Sequence, residues 1–509
     1  MQLAQRFQNS RIIPILGFFT LFAFFIIDCA IAQVELGVQH QWNLGELYGH
    51  SGHVGVRAFV NLDDDDELEV IFNLNRSADF VALDFDGTEL WRSTIETNNS
   101  KEAYYPVVSE EQGLLFFASR ATNRVHAVNI VDNGPGNEAG SLAWSQKLSS
   151  RSNVANMSLE LADVGIIVGH DGSQGRSVLY DFNGNVMPGW PYGGWQHEQL
   201  LGAGDLDGDG QDEFFLDPNG GSSESGYYEV RNRDGTQVFS GRSQMTHNDY
   251  AVIADINVDS TNPNNLGNEL LVALDSDNSH TGEGDEIVLL NQLGDEVARY
   301  ATGASGVNYA VGDIRPDLPG QEIFFGNEGT NTIGLLDHTL TPIFISDLDQ
   351  TASILGISLD NAAGQTALAD LDGDGLLELL INTGENEAAG ILSFSSIELE
   401  GVDFNSVDFD ASEILLDSIF GYGWDFDPQS IFSHADPRSK QFLDVNGDGR
   451  SDIITSMVGA NSATGDRTMY LLGNVAITAV PEPSSFAFLA IAATSLVSIR
   501  SKRIRSRKH

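Results

Sequence analysis

Three short segments of this chain set acids at alternate positions around glycines: DLDGDGQDE at 205–213, DLDGDGLLE at 370–378 and DVNGDGRSD at 444–452. NLDDDDELE at 61–69 is an altered copy. As such a loop curls, side chains at positions 1, 3 and 5 turn toward one centre, and glycine at positions 4 and 6 permits the left-handed dihedrals of the curl. Position 7 can add a backbone carbonyl, and the acid at position 9 can bind in a bidentate way. All of these donors are hard oxygens, the set that calcium takes at about 2.3–2.6 Å. Zinc or copper would call for His or Cys, and neither stands in these loops.

Looser versions are DINVDSTNPNNLGNE at 255–269, with six extra residues, and DIRPDLPGQE at 313–322, with one. An EF-hand shares ligand positions 1, 3 and 5 but needs Glu at position 12 and flanking helices. Position 12 here is Leu216, Ile381 or Thr455, and the flanks read as strands. A dockerin needs an acid there too, so it fails on the same residue. The plain alternative is a solvated acidic turn, with Asp and Gly present for turn chemistry alone. Its weight falls when several copies recur at a fixed spacing.

The loops resemble the FG-GAP/VCBS repeat of integrin-type propellers and bacterial surface proteins, over most of residues 49–476. By position, the resemblance implies calcium ligands at Asp205, Asp207, Asp209 and Glu213; at Asp370, Asp372, Asp374 and Glu378; and at Asp444, Asn446, Asp448 and Asp452. In the first loop they are Asn61, Asp63, Asp65 and Glu69, with Asp64 and Asp66 replacing the usual glycines. Asp255, Asn257, Asp259 and Glu269 can gather if the insertion loops outward. In the copy at 313–322 Arg315 takes position 3, where its charge can stand in for the ion.

Something regular must present these loops. Each follows an apolar strand and precedes a run such as Phe214-Phe215-Leu216 or Leu379-Leu380-Ile381. Roughly twenty to thirty-five residues later comes a second pattern of strand, two-residue turn with a left-handed Gly, and strand. It reads VALDFDGTELW at 81–91, VLYDFNGNVMPGW at 179–190 and YEVRNRDGTQVF at 228–239, and more loosely IVLLNQLGDEVARY at 287–300 and IGLLDHTLTPIF at 333–344. Four strands per repeat of about 45 to 60 residues is the make-up of a propeller blade. The chain thus reads as an all-β protein, a β-propeller of eight four-stranded blades with seven as the alternative count. Units begin near residues 49, 98, 151, 199, 250, 306, 356 and 406. The stretch Gln39 to Leu44 can complete the last blade and close the ring. An acidic insertion at 408–436 has no place in the pattern.

The ends read as addresses. Residues 1–32 have Arg6 and Arg11, an apolar run from Ile12 to Ile27, and the small-x-small site Ala30-Ile31-Ala32, as in a signal peptide. Cleavage there removes Cys29, the only cysteine, and leaves 33–479 as a propeller without disulfides. Residues 480–509 run Pro481-Glu482-Pro483, an apolar stretch Phe486 to Ile499, and an Arg-rich tail. That order resembles the PEP-CTERM sorting signal of Gram-negative bacteria. The resemblance implies an exosortase as partner during export, transient membrane anchorage at the C-terminus, and delivery to the cell envelope, surface or extracellular matrix.

Charge narrows the partners. Of 26 Lys and Arg, eight lie in the two ends; of 73 Asp and Glu, two do, so the domain between them carries a net charge near −53. That excludes nucleic acid as a partner and calls for cations among the carboxylates. With 41% hydrophobic residues the chain is folded rather than disordered.

No GxSxG, HExxH, P-loop or GxGxxG occurs. His50 and His53 read as a polar loop more readily than as a metal site. The loop Trp190-Pro191-Tyr192-Gly193-Gly194-Trp195 can stack on a sugar or, more readily, plug two blades together. Two functions therefore stand: a non-catalytic surface or matrix scaffold holding an unknown protein or polysaccharide, and a polysaccharide-degrading enzyme. The second rests on GDIRPDLPGQE at 312–322, which resembles segments of rhamnogalacturonan lyases with calcium propellers. No Lys, Arg and His constellation for such chemistry accompanies it, so no catalytic residue is assigned.

Overall fold

The apolar runs are long because each strand is covered on both faces. In Leu114–Ser119 every residue is buried. Phe116 packs with Leu159 and Ile166 of the following sheet, while Phe117, next in sequence, packs with Ile71 and Phe80 of the preceding one. Alternate residues of a strand point to opposite faces, so one run feeds two cores. The same arrangement recurs along the chain, with separate apolar clusters between successive sheets.

The computed structural model describes residues 36–43, 55–62, 65, 67–74, 79–94, 103–119, 123–148, 157–170, 177–191, 199–217, 228–241, 244–245, 251–257, 267–275, 285–304, 306–327, 329–348, 366–371, 373–382, 391–394, 415–416, 442–458 and 467–474. Among them are eight antiparallel sheets, most of four strands in sequence order. The first sheet joins Gly55–Val60, Glu69–Leu74, Asp79–Leu83 and Glu89–Thr94. The second sheet runs from Ala103–Ser109 to Leu142–Lys147. The third begins at Met157–Ala162, the fourth at Gln199–Gly204, the sixth at Val307–Gly312 and the seventh at Thr366–Ala369. In the fifth, two short strands, Gln244–Met245 and Val252–Ala254, share the partner Glu269–Asp275.

First strands of consecutive sheets lie side by side: Gly55–Val60 beside Ala103–Ser109, that beside Met157–Ala162, and that beside Gln199–Gly204. Sequential four-stranded sheets, packed face to face with their first strands adjacent, are the blades of a β-propeller. The eighth sheet closes the series as the sequence suggested. Leu36–Asn43 pairs with Arg467–Asn474, from the opposite end of the chain. Trp42, Val445 and Leu471 then join Val70, Phe72, Val81 and Leu83 of the first sheet in one core. These strands belong to the unit Leu36–Asn474. The signal-like and sorting-like ends lie outside the described residues, as do His50, His53 and all of 408–436 but Leu415–Leu416.

The outer hairpins correct one expectation. Their turns hold three residues, not two. Asp84 N donates to Thr88 O (2.9 Å) and Gly87 N to Asp84 O (2.8 Å), and the same pair of bonds recurs over 181–185, 232–236, 291–295 and 337–341. This is a type I turn followed by one left-handed residue. Asp or Asn opens each; the side chains of Asp181, Asn291 and Asp337 accept backbone N–H groups inside the turn, as Asp337 Oδ1 does from Thr339 and Thr341, whereas at 84–88 and 232–236 Asp86 and Asp234 accept from Thr88 N and Thr236 N. Gly fills the left-handed position in four turns, but Leu340 does so in the fifth (φ +59°).

Candidate metal centre

The Asp-rich loops at 61, 205, 255, 313 and 370 connect the first two strands of a sheet and return into the second at their final acid, while the 444 loop leads into Ile453–Val458 directly after its position 9. The 205–213 loop is described throughout. Its glycines at positions 4 and 6 adopt φ of +76° and +84°, and those of the 370 and 444 loops match them closely. Asp205 Oδ2 accepts from Gly210 N (2.9 Å), Asp207 Oδ1 from Asp209 N (3.1 Å) and Asp209 Oδ1 from Gln211 N (2.8 Å). One carboxylate oxygen from each of Asp205, Asp207 and Asp209 lies within 4.8 Å of the other two. Asp205 Oδ1 is buried there with no hydrogen-bond partner among the described residues.

Such a cluster is poorly matched to an empty polar turn. Three carboxylates that close repel one another, and a buried oxygen without a donor carries a desolvation cost on the order of 1–3 kcal/mol. A divalent cation would supply both the missing partner and the missing charge. The donor set fits a hard, oxygen-seeking ion.

The acids at position 9 have a role the sequence reading missed. Glu69, Glu213, Glu269, Glu322, Glu378 and Asp452 are at most 6% exposed. Each turns one oxygen back onto the loop's own backbone. Glu213 Oε2 accepts from Leu206 N (2.9 Å) and Asp207 N (3.4 Å). Glu269 accepts from Ile256 and Asn257, Glu322 from Ile314 and Arg315, and Asp452 from Val445 and Asn446. Glu69 and Glu378 take the same place on Leu62 and Leu371. A bidentate grip on an ion from position 9 would have to share that oxygen with these N–H groups. Glu213 stands outside the cluster of three. Burial pushes the Glu213, Glu322 and Asp452 carboxyls up to about 7 against the pull of those same N–H groups, with neighbouring carboxylates adding to the rise.

In the 370 loop, Asp370 accepts from Gly373 N (2.8 Å) and Gly375 N (3.0 Å), and Asp374 from Leu376 N (2.8 Å); Asp372 lies outside the described residues. In the 444 loop, Asp444 accepts from Asp448 N (3.1 Å) and Gly449 N (2.7 Å), and Asp448 from Arg450 N (3.0 Å). There Asn446 donates its amide to Gln39 of the N-terminal strand. Asn61 bonds to Asp65 O in the first loop, where Asp63, Asp64 and Asp66 lie outside the described residues. In the 255 loop, Asn257 is 8% exposed and its Nδ2 is buried with no hydrogen-bond partner among the described residues. Asp259 is not described.

The loop of the sixth sheet holds its own cation. Arg315 is 3% exposed and grips Asp317 with two parallel bonds, Nε to Oδ1 and Nη2 to Oδ2, both 2.8 Å. That pairing holds the Asp317 carboxyl below the usual range. Trp190 of the aromatic loop is a plug between blades: it packs edge-on against Phe214, and its Nε1 donates to Arg233 O (2.9 Å). Tyr192 to Trp195 are not described.

No protein-family model matches the chain, and no curated protein matches it. Among solved structures it is similar to the Vibrio cholerae biofilm matrix protein Bap1, at 11% identity over 87% of this chain and 91% of that one, with a TM-score of 0.45. It is also similar to the exotype rhamnogalacturonan lyase YesX, at 16% identity over 86% and 74%, with a TM-score of 0.49. A third is virginiamycin B lyase from Staphylococcus aureus, at 13% identity over 68% and 96%, with a TM-score of 0.37. The propeller assignment stands on this chain's own strand order and blade packing.

Proposed function

We propose that this chain is an exported, calcium-binding β-propeller that works without catalysis, as a scaffold or binding protein of the cell surface or extracellular matrix. The observation that carries the reading is the buried, partnerless Oδ1 of Asp205 inside a cluster of three aspartates. In a domain with a charge near −53 and no disulfide, such loops are where cations offset repulsion. Asp205, Asp207 and Asp209 would hold the ion, with the corresponding residues of the 61, 255, 370 and 444 loops as further sites. Bound there, calcium supplies charge neutralisation and rigid loops rather than a reacting centre. The FG-GAP/VCBS resemblance supports this reading. The PEP-CTERM resemblance supports export through an exosortase, with the tail removed afterwards.

Elemental analysis of chelator-free protein tests the first part: bound calcium is expected, and none after dialysis into micromolar calcium would overturn it. Mass spectrometry of protein from the native envelope tests the second. Intact peptides reaching Ile504 in the surface pool would replace sorting with simple anchorage.

The lyase reading stays as the alternative, with no group of its own segment to serve it. Its segment, 312–322, spends Arg315 on an internal pair with Asp317 and buries Glu322, so neither group is offered to a uronate. Pectin fragments followed by absorbance of the unsaturated product should show no turnover. A calcium-dependent rise in that absorbance would reinstate the enzyme.

A further inference from the structure

The loops wall the seams between sheets. In the 205 loop the residue between the first two acids, Leu206, is fully buried in the core shared by the fourth and fifth sheets, together with Leu270, Val272 and Leu290. Ile256 and Val445 hold the same place in the cores between the fifth and sixth sheets and between the eighth and first. Each wall is tied to the sheet that follows it. Asn268 donates its side-chain amide to Asp205 O. Gln321 N donates to Ile256 O (2.9 Å), Ser451 N to Asp370 O (2.6 Å) and Leu68 N to Val445 O (2.7 Å). All four bonds run from the residue before a final acid back to position 1 or 2 of the loop in the preceding sheet of the ring.

Between the fourth and fifth sheets the approach is close. A Cβ on Gly267 (φ +118°) would lie 3.2 Å from Leu206 O and 3.4 Å from the carbonyl carbon of Asp207. Only glycine there lets the fifth sheet rest on the backbone of the 205 loop. The seam between the third and fourth sheets is built differently. Its wall is the short turn Asp163-Val164, with Val164 packed on the core and no acid-and-glycine loop. Asp163 N donates to Asp212 Oδ2 (2.7 Å), the Asp163 carboxylate pairs with Arg233, and Trp190 Nε1 donates to Arg233 O (2.9 Å). Asp212 stands at position 8, outside the cluster of three.

We infer that a cation held by Asp205, Asp207 and Asp209 clamps the seam between the fourth and fifth sheets, so that the calcium concentration sets how often that seam opens. This rests on the calcium reading above and adds its regulation. The residue that joins site to seam is Asp205, which contributes an oxygen to the cluster of three and whose Oδ1 is buried with no hydrogen-bond partner among the described residues.

The same residues serve the ion and the seam. Asp205 offers its carboxylate to the ion and its carbonyl to Asn268. Asp205 and Asp207 flank Leu206, whose side chain lies in the core of the seam and whose carbonyl lies under Gly267. Without the ion, three carboxylates with oxygens within 4.8 Å of one another repel, and the backbone that spreads to relieve them is the wall of the seam. With the ion bound, spreading strips it of ligands. An opening that releases the ion is therefore suppressed about a hundredfold at calcium a hundred times above Kd. The ties of the seam between the third and fourth sheets pass through none of the three aspartates.

Thiol labelling of the full chain reads the two seams separately, with calcium alone as the probe. In a Cys29→Ala background, Ala251→Cys places a thiol in the core between the fourth and fifth sheets, and Ala162→Cys one in the core between the third and fourth. Both alanines are at most 6% exposed. When reclosing outpaces labelling, the rate follows the fraction open. Replacing calcium by EGTA should speed labelling at 251 by about a hundredfold and change it little at 162. Asn268→Ala keeps the three acids, so it should speed labelling at 251 in calcium while bound calcium stays the same. Should a thiol variant fail to fold, hydrogen exchange in the unsubstituted chain gives the same contrast at the Leu206 and Asp163 N–H groups, one held at each seam. Equal acceleration at both seams would overturn the clamp, because calcium would then act on the whole ring. No acceleration at 251 in protein that elemental analysis shows to hold calcium would overturn the clamp and leave the calcium reading intact. No bound calcium would overturn the calcium reading itself.

Discussion

The fourth and sixth blades carry the same loop in the same place and balance its charge in different ways. At 205–213 three aspartates converge, and one buried oxygen has no donor. At 313–322 position 3 is Arg315, whose guanidinium is buried and tied to Asp317 by two bonds. Both loops keep the position-9 acid, buried and turned onto the backbone N–H groups of positions 2 and 3. The backbone clasp is therefore common to both, and the cation is the variable part. One loop carries its positive charge in the chain; on the calcium reading proposed above, the other takes it from solution.

Removing calcium should separate the two most strongly. An ion that binds only the folded state contributes about 2.7 kcal/mol per site at a hundredfold excess over Kd. With several such loops, melts in calcium and in EGTA should differ by many degrees. Hydrogen exchange should then show the 205 loop opening in EGTA and the 313 loop unchanged. Equal protection of both loops in the two buffers would break the comparison.

Single substitutions sharpen it. Asp207→Ala should lose about 2–3 kcal/mol in calcium and little in EGTA, as read from thermal or urea melts. Arg315→Ala should lose about 2 kcal/mol in both buffers, because it removes a buried stem and leaves Asp317 without its partner. Asp317 is 61% exposed on its side chain, which lets water compensate and keeps that figure low. A calcium-dependent loss for Arg315→Ala would mean that its loop takes an ion after all.

Much of this was legible in the residues, for physical reasons. Continuous apolar runs such as Leu114 to Ala118 marked the strands of each repeat, and the stretch Gln39 to Leu44 marked the closing strand, which pairs as Leu36–Asn43 with Arg467–Asn474. Arg315 in an aspartate's place was visible as a built-in charge. The position-9 acid was visible too, yet its chemistry was assigned to the ion alone, because composition does not say which way a carboxylate turns. The ties between loops left no signal. Leu68, Gln321 and Ser451 use their backbone N–H, Asn268 its amide and Asp212 its carboxylate, so no residue type marks the position. The hairpin turns were read one residue short, since the left-handed Gly is shared by two- and three-residue turns.

The smallest expected effect concerns the clasp that both loops share, and the sixth blade isolates it because its cation is covalent. Burial raises the Glu322 carboxyl from 4.5 to about 7. Between those values the folded chain holds a proton that the unfolded chain has released, so stability falls as pH rises through that window. Below about pH 4.5 both states are protonated and the dependence vanishes. Glu322→Gln keeps the shape but not the titration. In EGTA, its stability relative to wild type should therefore rise from pH 4.5 to 7, by about 1 kcal/mol once water entering around the ionised carboxylate is allowed for. Taking the difference between variant and wild type cancels the other titrating groups. A difference that stays flat across the window, or falls, would mean that the Ile314 and Arg315 N–H groups hold Glu322 ionised. The clasp would then be an anion held by backbone donors, and the two loops would differ by more than their cation.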